Sequence, residues 1–250
     1  MASFVNPKVS ISPATESTPR IVTYDFHDGE RTPKDLQLSY FNFGGKAEAI
    51  RLLAFHGRVS FSDHRFERHQ FAALKSSGQL LFGQMPTLTV KGTQQVPQCN
   101  AILRLVARLS TAEPSLYPVE EPVKCGIIDA ILDLDSDIFT PIVVRNYKER
   151  FGFDFLNDST SSPLIDDVTK NLKDRVLPQH LSNLSKLIGT SGWLGGDWST
   201  PTIADFNFGV RLEYLNNLQE FDRIVEKDVK LKEFLDKFKN LPSVKAYQNC

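Results

Sequence analysis

Alternating apolar and polar residues begin at Leu36. The run Leu36-Gln37-Leu38-Ser39-Tyr40-Phe41 predicts a strand. Asn42-Phe43-Gly44-Gly45 reads as a turn, and Lys46 to Phe55 carries helical spacing that Gly57 stops. Val59 to Phe66 predicts a second strand, and residues 67–81 a loop with a short helix. Pro86 opens a strand over 87–91, Lys91-Gly92 makes a tight turn, and a short strand follows over 93–97. From Gln98 to Leu109 the positions Ala101, Ile102, Leu105, Val106 and Leu109 again have helical spacing. The order is β-α-β-α-β-β-α, which implies a parallel pair first and an antiparallel hairpin last.

Beyond a linker from Glu113 to Pro118, strand signals nearly vanish. A long helix runs from Pro122 to about Arg150, with a bend expected at Pro141. Another runs from Pro163 to Ile188. Gly192 to Trp198 is a glycine-rich loop, and Thr202 with Asp205 three residues on reads as an N-cap with its acidic partner. Two short helices close the chain, the last opening near Leu241-Pro242-Ser243. The predicted fold class is α/β followed by all-α. Residues 36–113 form a small mixed domain, and residues 119–250 an all-helical one.

Residues 1–35 are rich in Ser, Thr and Pro without sustained periodicity, and predict a flexible N-terminal arm. The arm has no apolar core of a secretory signal. Composition changes this picture little. Of 250 residues, 41% are hydrophobic and 24% charged, as in ordinary globular proteins. A net charge of −1 gives no reason to expect nucleic acid or an acidic membrane as partner. No apolar run approaches the length of a membrane span. The three cysteines, Cys99, Cys125 and Cys250, form no CxxC pair, which argues against a disulfide scaffold, a zinc site or a dithiol centre and makes a reducing, cytoplasmic compartment the expectation.

The most informative stretch is Phe82-Gly83-Gln84-Met85-Pro86. Pro86 forces Met85 into extended backbone and donates no N–H itself. The N–H and C=O of Met85 can then face outward like a free strand edge and pair with an extended peptide. An X-Pro bond is also open to the cis form. Taken alone, the stretch reads as an ordinary loop ending at an edge strand.

Five segments in order resemble the cytosolic glutathione S-transferases, and most closely their sigma class. They are Leu38-Ser39-Tyr40-Phe41-Asn42 with Lys46-Ala47-Glu48-Ala49-Ile50-Arg51, then Phe82 to Pro86, then Gln98-Cys99-Asn100-Ala101-Ile102. Gly196-Asp197 with Thr202-Ile203-Ala204-Asp205-Phe206, and Leu241 to Tyr247, complete the set. The resemblance spans about residues 36–248. It implies a thioredoxin-like domain that binds glutathione, a helical domain that helps to hold a small hydrophobic electrophile, and a homodimer. Glutathione would be co-substrate, with no metal or other cofactor. It also implies that Tyr40 donates a hydrogen bond to the glutathione sulfur, and that Met85-Pro86 is cis.

The remaining roles follow from the same resemblance. Phe41, Lys46, Phe71, Lys75, Gln84, Met85, Pro86, Gln98, Cys99 and Asp137 are the expected glutathione contacts. Asp137 would reach the α-amino group across a dimer interface; as a bare sequence feature, Asp129, Asp133 and Asp137 equally make a solvated acidic face. Phe43, Phe139, Ile142 and Val143 are expected to line the electrophile pocket. The chain departs from the family's pattern at three places. Lys46 stands where an arginine is usual and lacks its planar fork. Phe71 stands for a tryptophan and loses an N–H donor. Cys99 stands for a serine, which either weakens binding or makes a reactive thiol at a helix N-terminus. Between Lys75 and Phe82 the chain is longer than the pattern. Two other functions stay open: a glutathione-dependent isomerase of the prostaglandin type, and a non-catalytic ligand-binding or structural relative.

Overall fold

The computed structural model describes residues 5–26, 35–157 and 162–250. The parts of the expected arm at 1–4 and 27–34 lie outside the described residues. The chain divides into two compact units. The first holds the described residues up to Pro118 together with Lys239–Cys250; the second is Val119–Phe238.

The first unit is built on one six-stranded sheet. Its strands are β1 (Lys8–Ser12), β2 (Arg20–Asp25), β3 (Gln37–Phe41), β4 (Phe61–Phe66), β5 (Thr87–Val90) and β6 (Gln94–Pro97). Their spatial order is β1-β2-β4-β3-β5-β6. β3 and β4 are parallel, and β5 and β6 form the expected antiparallel hairpin, with Lys91 and Gly92 at positive φ in its turn. The helices of this unit are α1 (Glu48–His56), α2 (Arg68–Ser76), α3 (Cys99–Leu109) and α9 (Pro242–Gln248). α1 packs against both α3 and α9. Alternation along the strands gives the sheet two unlike faces. Leu38 and Leu88 are buried on one face, while Gln37, Ser39, Thr87 and Thr89 point to the other.

Two expectations are corrected here. The arm is not wholly flexible, because residues 8–12 and 20–25 form a hairpin that extends the sheet beside β4. What holds it is distant in sequence. Val22 and Tyr24 are buried. The Tyr24 ring stacks on Phe61 at 5.0 Å and meets Phe55 edge-on at 6.0 Å, with Tyr247 of α9 at 6.1 Å. The second correction concerns the boundary at 250. α9 belongs to the sheet unit rather than to the helical one. His56 Nδ1 and Ser243 Oγ are 2.7 Å apart, and Arg65 Nη2 donates to the Tyr247 hydroxyl at 3.3 Å.

A charged pair sits inside this unit. The Arg51 side chain and the Asp63 carboxylate are both fully buried. Arg51 donates from Nε and Nη2 to the two carboxylate oxygens, at 2.9 and 3.2 Å. Its remaining donors reach the carbonyls of Phe41 and Phe43, at 3.2 and 2.8 Å, and the Glu48 carboxylate at 3.2 Å. Asp63 also accepts from Arg65 Nε at 2.6 Å. A buried ion pair is tolerated when its donors and acceptors are filled in this way.

The second unit is helical, as the sequence predicts. α4 (Pro122–Asn146) opens on a proline and continues through Pro141. α5 (Ser162–Asn171) runs through a π turn at Leu172–Val176 into α6 (Leu177–Lys186). There the N–H of Leu177 reaches back to the carbonyl of Leu172, and Pro178 follows directly. Proline cannot make the ordinary i−4 bond, so a widened turn before it absorbs the mismatch. α7 (Ile203–Asn217) has the expected capping box. The Asp205 carboxylate accepts the N–H groups of Thr202 at 2.7 Å and Leu194 at 2.8 Å, which ties the glycine-rich loop to the helix start. Burial pushes its carboxyl up to about 7 against the pull of those donors. α8 (Val229–Lys239) packs Phe238 on Phe206 and against Gly209, where a β-carbon would meet its ring at 2.4 Å.

Two outcomes are expected. Replacing Arg51 with Leu leaves the buried Asp63 carboxylate with Arg65 as its one charged partner among the described residues and costs about 3–5 kcal/mol, measurable by urea denaturation. His56 gives a pH dependence. Burial, helped by nearby Arg58, lowers its pKa from 6.5 to about 4. The unfolded chain therefore binds an extra proton between those values. This contribution is complete above pH 6.5 and is lost as pH falls toward 4, by up to about 3 kcal/mol. Comparing the parent with His56→Gln by denaturation at pH 7 and pH 4.5 isolates it: the parent loses more stability on acidification than the variant.

Candidate active site

Tyr40 is the penultimate residue of β3, and its side chain is buried. Its hydroxyl oxygen accepts the backbone N–H of Lys46 at 3.1 Å. That contact needs the chain to double back tightly between strand and helix. Gly45 makes this possible, since its φ is +49° and a β-carbon there would stand 2.7 Å from the Tyr40 oxygen. Arg51 fixes the same turn from beneath through the carbonyls of Phe41 and Phe43, and its guanidinium lies 5.8 Å from the Tyr40 ring centre. No role for Arg51 is visible from the motif alone. The available signal is a charge within the apolar run Ile50-Arg51-Leu52-Leu53.

Lys46 links the tyrosine to α3. While its N–H serves Tyr40, its carbonyl accepts from the Cys99 thiol at 3.7 Å. The Lys46 side chain is exposed. Gln98, just before α3, has φ 73° and ψ 125°, backbone that a non-glycine residue seldom adopts. Cys99 opens the helix and is half-buried. The first turn of α3 holds no acidic residue, so the positive end of its dipole is not offset there.

The Met85-Pro86 bond is cis, as expected. Ser39 pairs with Thr87 across β3 and β5, so Tyr40 and Pro86 flank the end of that ladder. Among the described residues, neither the N–H nor the C=O of Met85 takes a hydrogen bond. The Gln84 carbonyl accepts the Thr87 hydroxyl at 3.2 Å. Gly83, at φ +59°, would place a β-carbon 3.8 Å from the Lys75 side chain, so Lys75 reaches the same loop. Phe71 meets Phe41 edge-on at 5.1 Å, and Phe41 stacks on Phe43 at 5.4 Å. Phe71 thus keeps an aromatic packing role without the indole donor.

Tyr40, Phe41, Phe43, Lys46, Phe71, Lys75, Gln84, Met85, Pro86, Gln98 and Cys99 all lie in the sheet unit. Asp137, Phe139, Ile142 and Val143 lie on α4 of the helical unit. Asp137 is exposed and Val143 half-buried. Phe139 and Ile142 do not offer the surface expected of pocket walls: they are 1% and 0% exposed. The ring of Phe139 is covered by the Arg211 guanidinium at 3.8 Å, itself held by Asp135 at 2.8 Å. These two side chains fill core because their helix positions face inward in the helical unit. Among the described residues no group of three or more His, Cys, Asp or Glu is placed to hold a metal ion, and no helix is long and apolar enough to cross a membrane.

Known proteins share this fold. The pattern of the glutathione S-transferase C-terminal domain matches residues 158–250. The chain is 30% identical over 218 residues to glutathione S-transferase P of Caenorhabditis elegans, covering 86% of this chain and 92% of the relative. It is 26% identical to the hematopoietic prostaglandin D synthase of Gallus gallus, over 84% of this chain and 94% of that one. The solved prostaglandin synthase D of Nilaparvata lugens superposes with a TM-score of 0.70 at 25% identity, covering 86% of this chain and 97% of that chain. Similarity at that level along nearly the whole of a relative, carried on a shared fold, establishes that this chain belongs to the glutathione S-transferase family.

Proposed function

We propose that this chain is a glutathione transferase in which Tyr40 ionises the glutathione thiol for attack on a hydrophobic electrophile. The observation that carries this reading is the Lys46 N–H donated to the Tyr40 oxygen. A hydroxyl that already accepts a hydrogen bond is a better donor of its own proton. A thiol near pKa ~8.5 must fall by about two units to be mostly thiolate at neutral pH, which needs ~2.7 kcal/mol. One hydrogen bond to a charged partner supplies about 1.5–3 kcal/mol. Tyr40 alone therefore nearly suffices.

Each other residue has a part in this reading. The open backbone of Met85 pairs with the cysteinyl unit of glutathione, as a short strand would. Gln98, Cys99 and the start of α3 receive the γ-glutamyl carboxylate. Lys75 and Lys46 face the negative glycine end. The thiolate then attacks the electrophile's electron-poor carbon, forming the S–C bond as the leaving group departs with its electron pair, or as the electron pair moves into the acceptor. Phe43 is 52% exposed, and its ring centre lies 5.7 Å from that of Tyr40. It offers an apolar surface beside the sulfur position.

The protein works in the cytoplasm as a homodimer in this reading, and exposed Asp137 meets the α-amino group of glutathione bound to the partner. A second reading, a glutathione-dependent prostaglandin isomerase, draws support from prostaglandin synthases among the similar proteins. It uses the same thiolate and differs in the electrophile. A purely structural role leaves the Tyr40 arrangement without a purpose.

Conjugation of glutathione to 1-chloro-2,4-dinitrobenzene tests the main reading. Tyr40→Phe should lower kcat/KM about 100-fold while calorimetry still detects glutathione binding; a parent with no conjugating activity would refute the transferase. Asp137→Asn should weaken glutathione about fivefold to tenfold in a chain that sediments as a dimer. An unchanged affinity removes Asp137 from the site.

A further inference from the structure

The face of the sheet that carries Ser39 opens onto a cleft of about 540 Å³. None of Tyr40, Lys46, Met85, Gln98 or Cys99 lines it. Its floor is two cross-strand rows. His64, Ser39 and Thr87 are register partners across β4, β3 and β5. Gln37, Thr89 and Gln95 are partners across β3, β5 and β6. Strand spacing sets these side chains about 4.8 Å apart. One wall is α2, through Ala73 and Leu74, with Phe66 and Leu80 beside it.

The N-terminal hairpin closes the remaining side. Glu16, Ser17 and Pro19 of the β1–β2 turn line the cleft. Gln70 holds that turn by donating to the carbonyls of Thr15 and Thr18, at 2.9 and 2.8 Å. His69 adds a contact to the carbonyl of Glu16 at 3.2 Å.

The lining has a definite chemistry. It is dense in amides and hydroxyls, and among the described residues it includes no lysine or arginine. Some of its groups are committed: Gln95 donates to the Gln79 carbonyl and accepts from the Leu81 N–H. Others are not. Among the described residues, the side chains of His64 and Thr89 take no hydrogen bond. Burial lowers the His64 pKa, so its ring is neutral and both donates and accepts. A sheet face that packed only against its helix would carry apolar side chains here. A cleft of this volume suits a small organic ligand. With no lysine or arginine among the described lining residues to offset a negative charge, and the Glu16 carboxylate at its rim, an anion is disfavoured in this half-enclosed site.

We propose that this cleft is a second small-molecule site, taking an uncharged ring compound that bears several hydroxyl or amide groups, of nucleoside or disaccharide size. The rows from β3, β4 and β5 bind its polar edge. Leu74, Leu80 and Phe66 cover its apolar faces. The hairpin turn completes the enclosure.

Saturation-transfer NMR on the full chain tests this with adenosine and sucrose, each beside its phosphorylated counterpart, with and without saturating glutathione. At least one uncharged probe should bind, its phosphorylated form about tenfold or more weakly, and glutathione should not displace it. Thr89→Leu should weaken that probe about tenfold while glutathione titrates as in the parent; Gln37→Leu gives the same reading if the first variant does not fold. The proposal is overturned if neither uncharged probe binds, if the phosphorylated form binds equally well, if glutathione displaces the probe, or if the folded variants bind it unchanged.

Discussion

The buried guanidinium of Arg51 is the contact on which the sheet unit depends. One side chain joins the inner face of α1, the middle of β4 through Asp63, and the turn after β3 through the carbonyls of Phe41 and Phe43. A charge so deeply buried is costly unless nearly every donor finds an acceptor. That requirement turns a flexible strand-to-helix connection into a fixed one. The turn's conformation then decides where the Lys46 N–H points, and hence how the Tyr40 hydroxyl is held. The position of the Tyr40 hydroxyl is downstream of a packing problem solved beneath it.

A similar economy runs through Lys46. In the family's pattern an arginine side chain is usual at this position, and lysine keeps the charge without the fork. The structure gives its backbone two further duties, one toward Tyr40 and one toward Cys99. Those duties do not depend on which side chain is present. The substitution therefore replaces a planar fork of donors by a compact ammonium while the arrangement of the hydroxyl and the α3 start persists.

Features encoded locally were legible in the sequence. The Thr202 and Asp205 cap and the turn at Lys91-Gly92 each rest on a few neighbouring residues, and each appears where the pattern places it; the cis Met85-Pro86 bond is where the family resemblance implies it. Features held by distant partners were not. The strand at 20–25 is short and follows a Ser- and Pro-rich stretch, and its stability comes from Phe55, Phe61 and Tyr247. α9 joins the sheet unit through contacts between residues almost two hundred positions apart, such as His56 and Ser243. Phe139 and Ile142 are apolar whether they line a pocket or fill a core, so only their burial decides between the two.

The N-terminal hairpin also relocates the rim of the sheet. With β2 seated beside it, β4 has neighbours on both sides, and the outermost ladder on that flank is β1. This strand is five residues long and is bracketed by Pro7 and Pro13. Neither proline can donate a backbone hydrogen bond, so an added strand finds a ladder that ends abruptly at both sides. Lys8 puts a charge at its start. β4, which would otherwise have been the edge, is thereby shielded from strand exchange between molecules, and the exposed edge is short enough to discourage it.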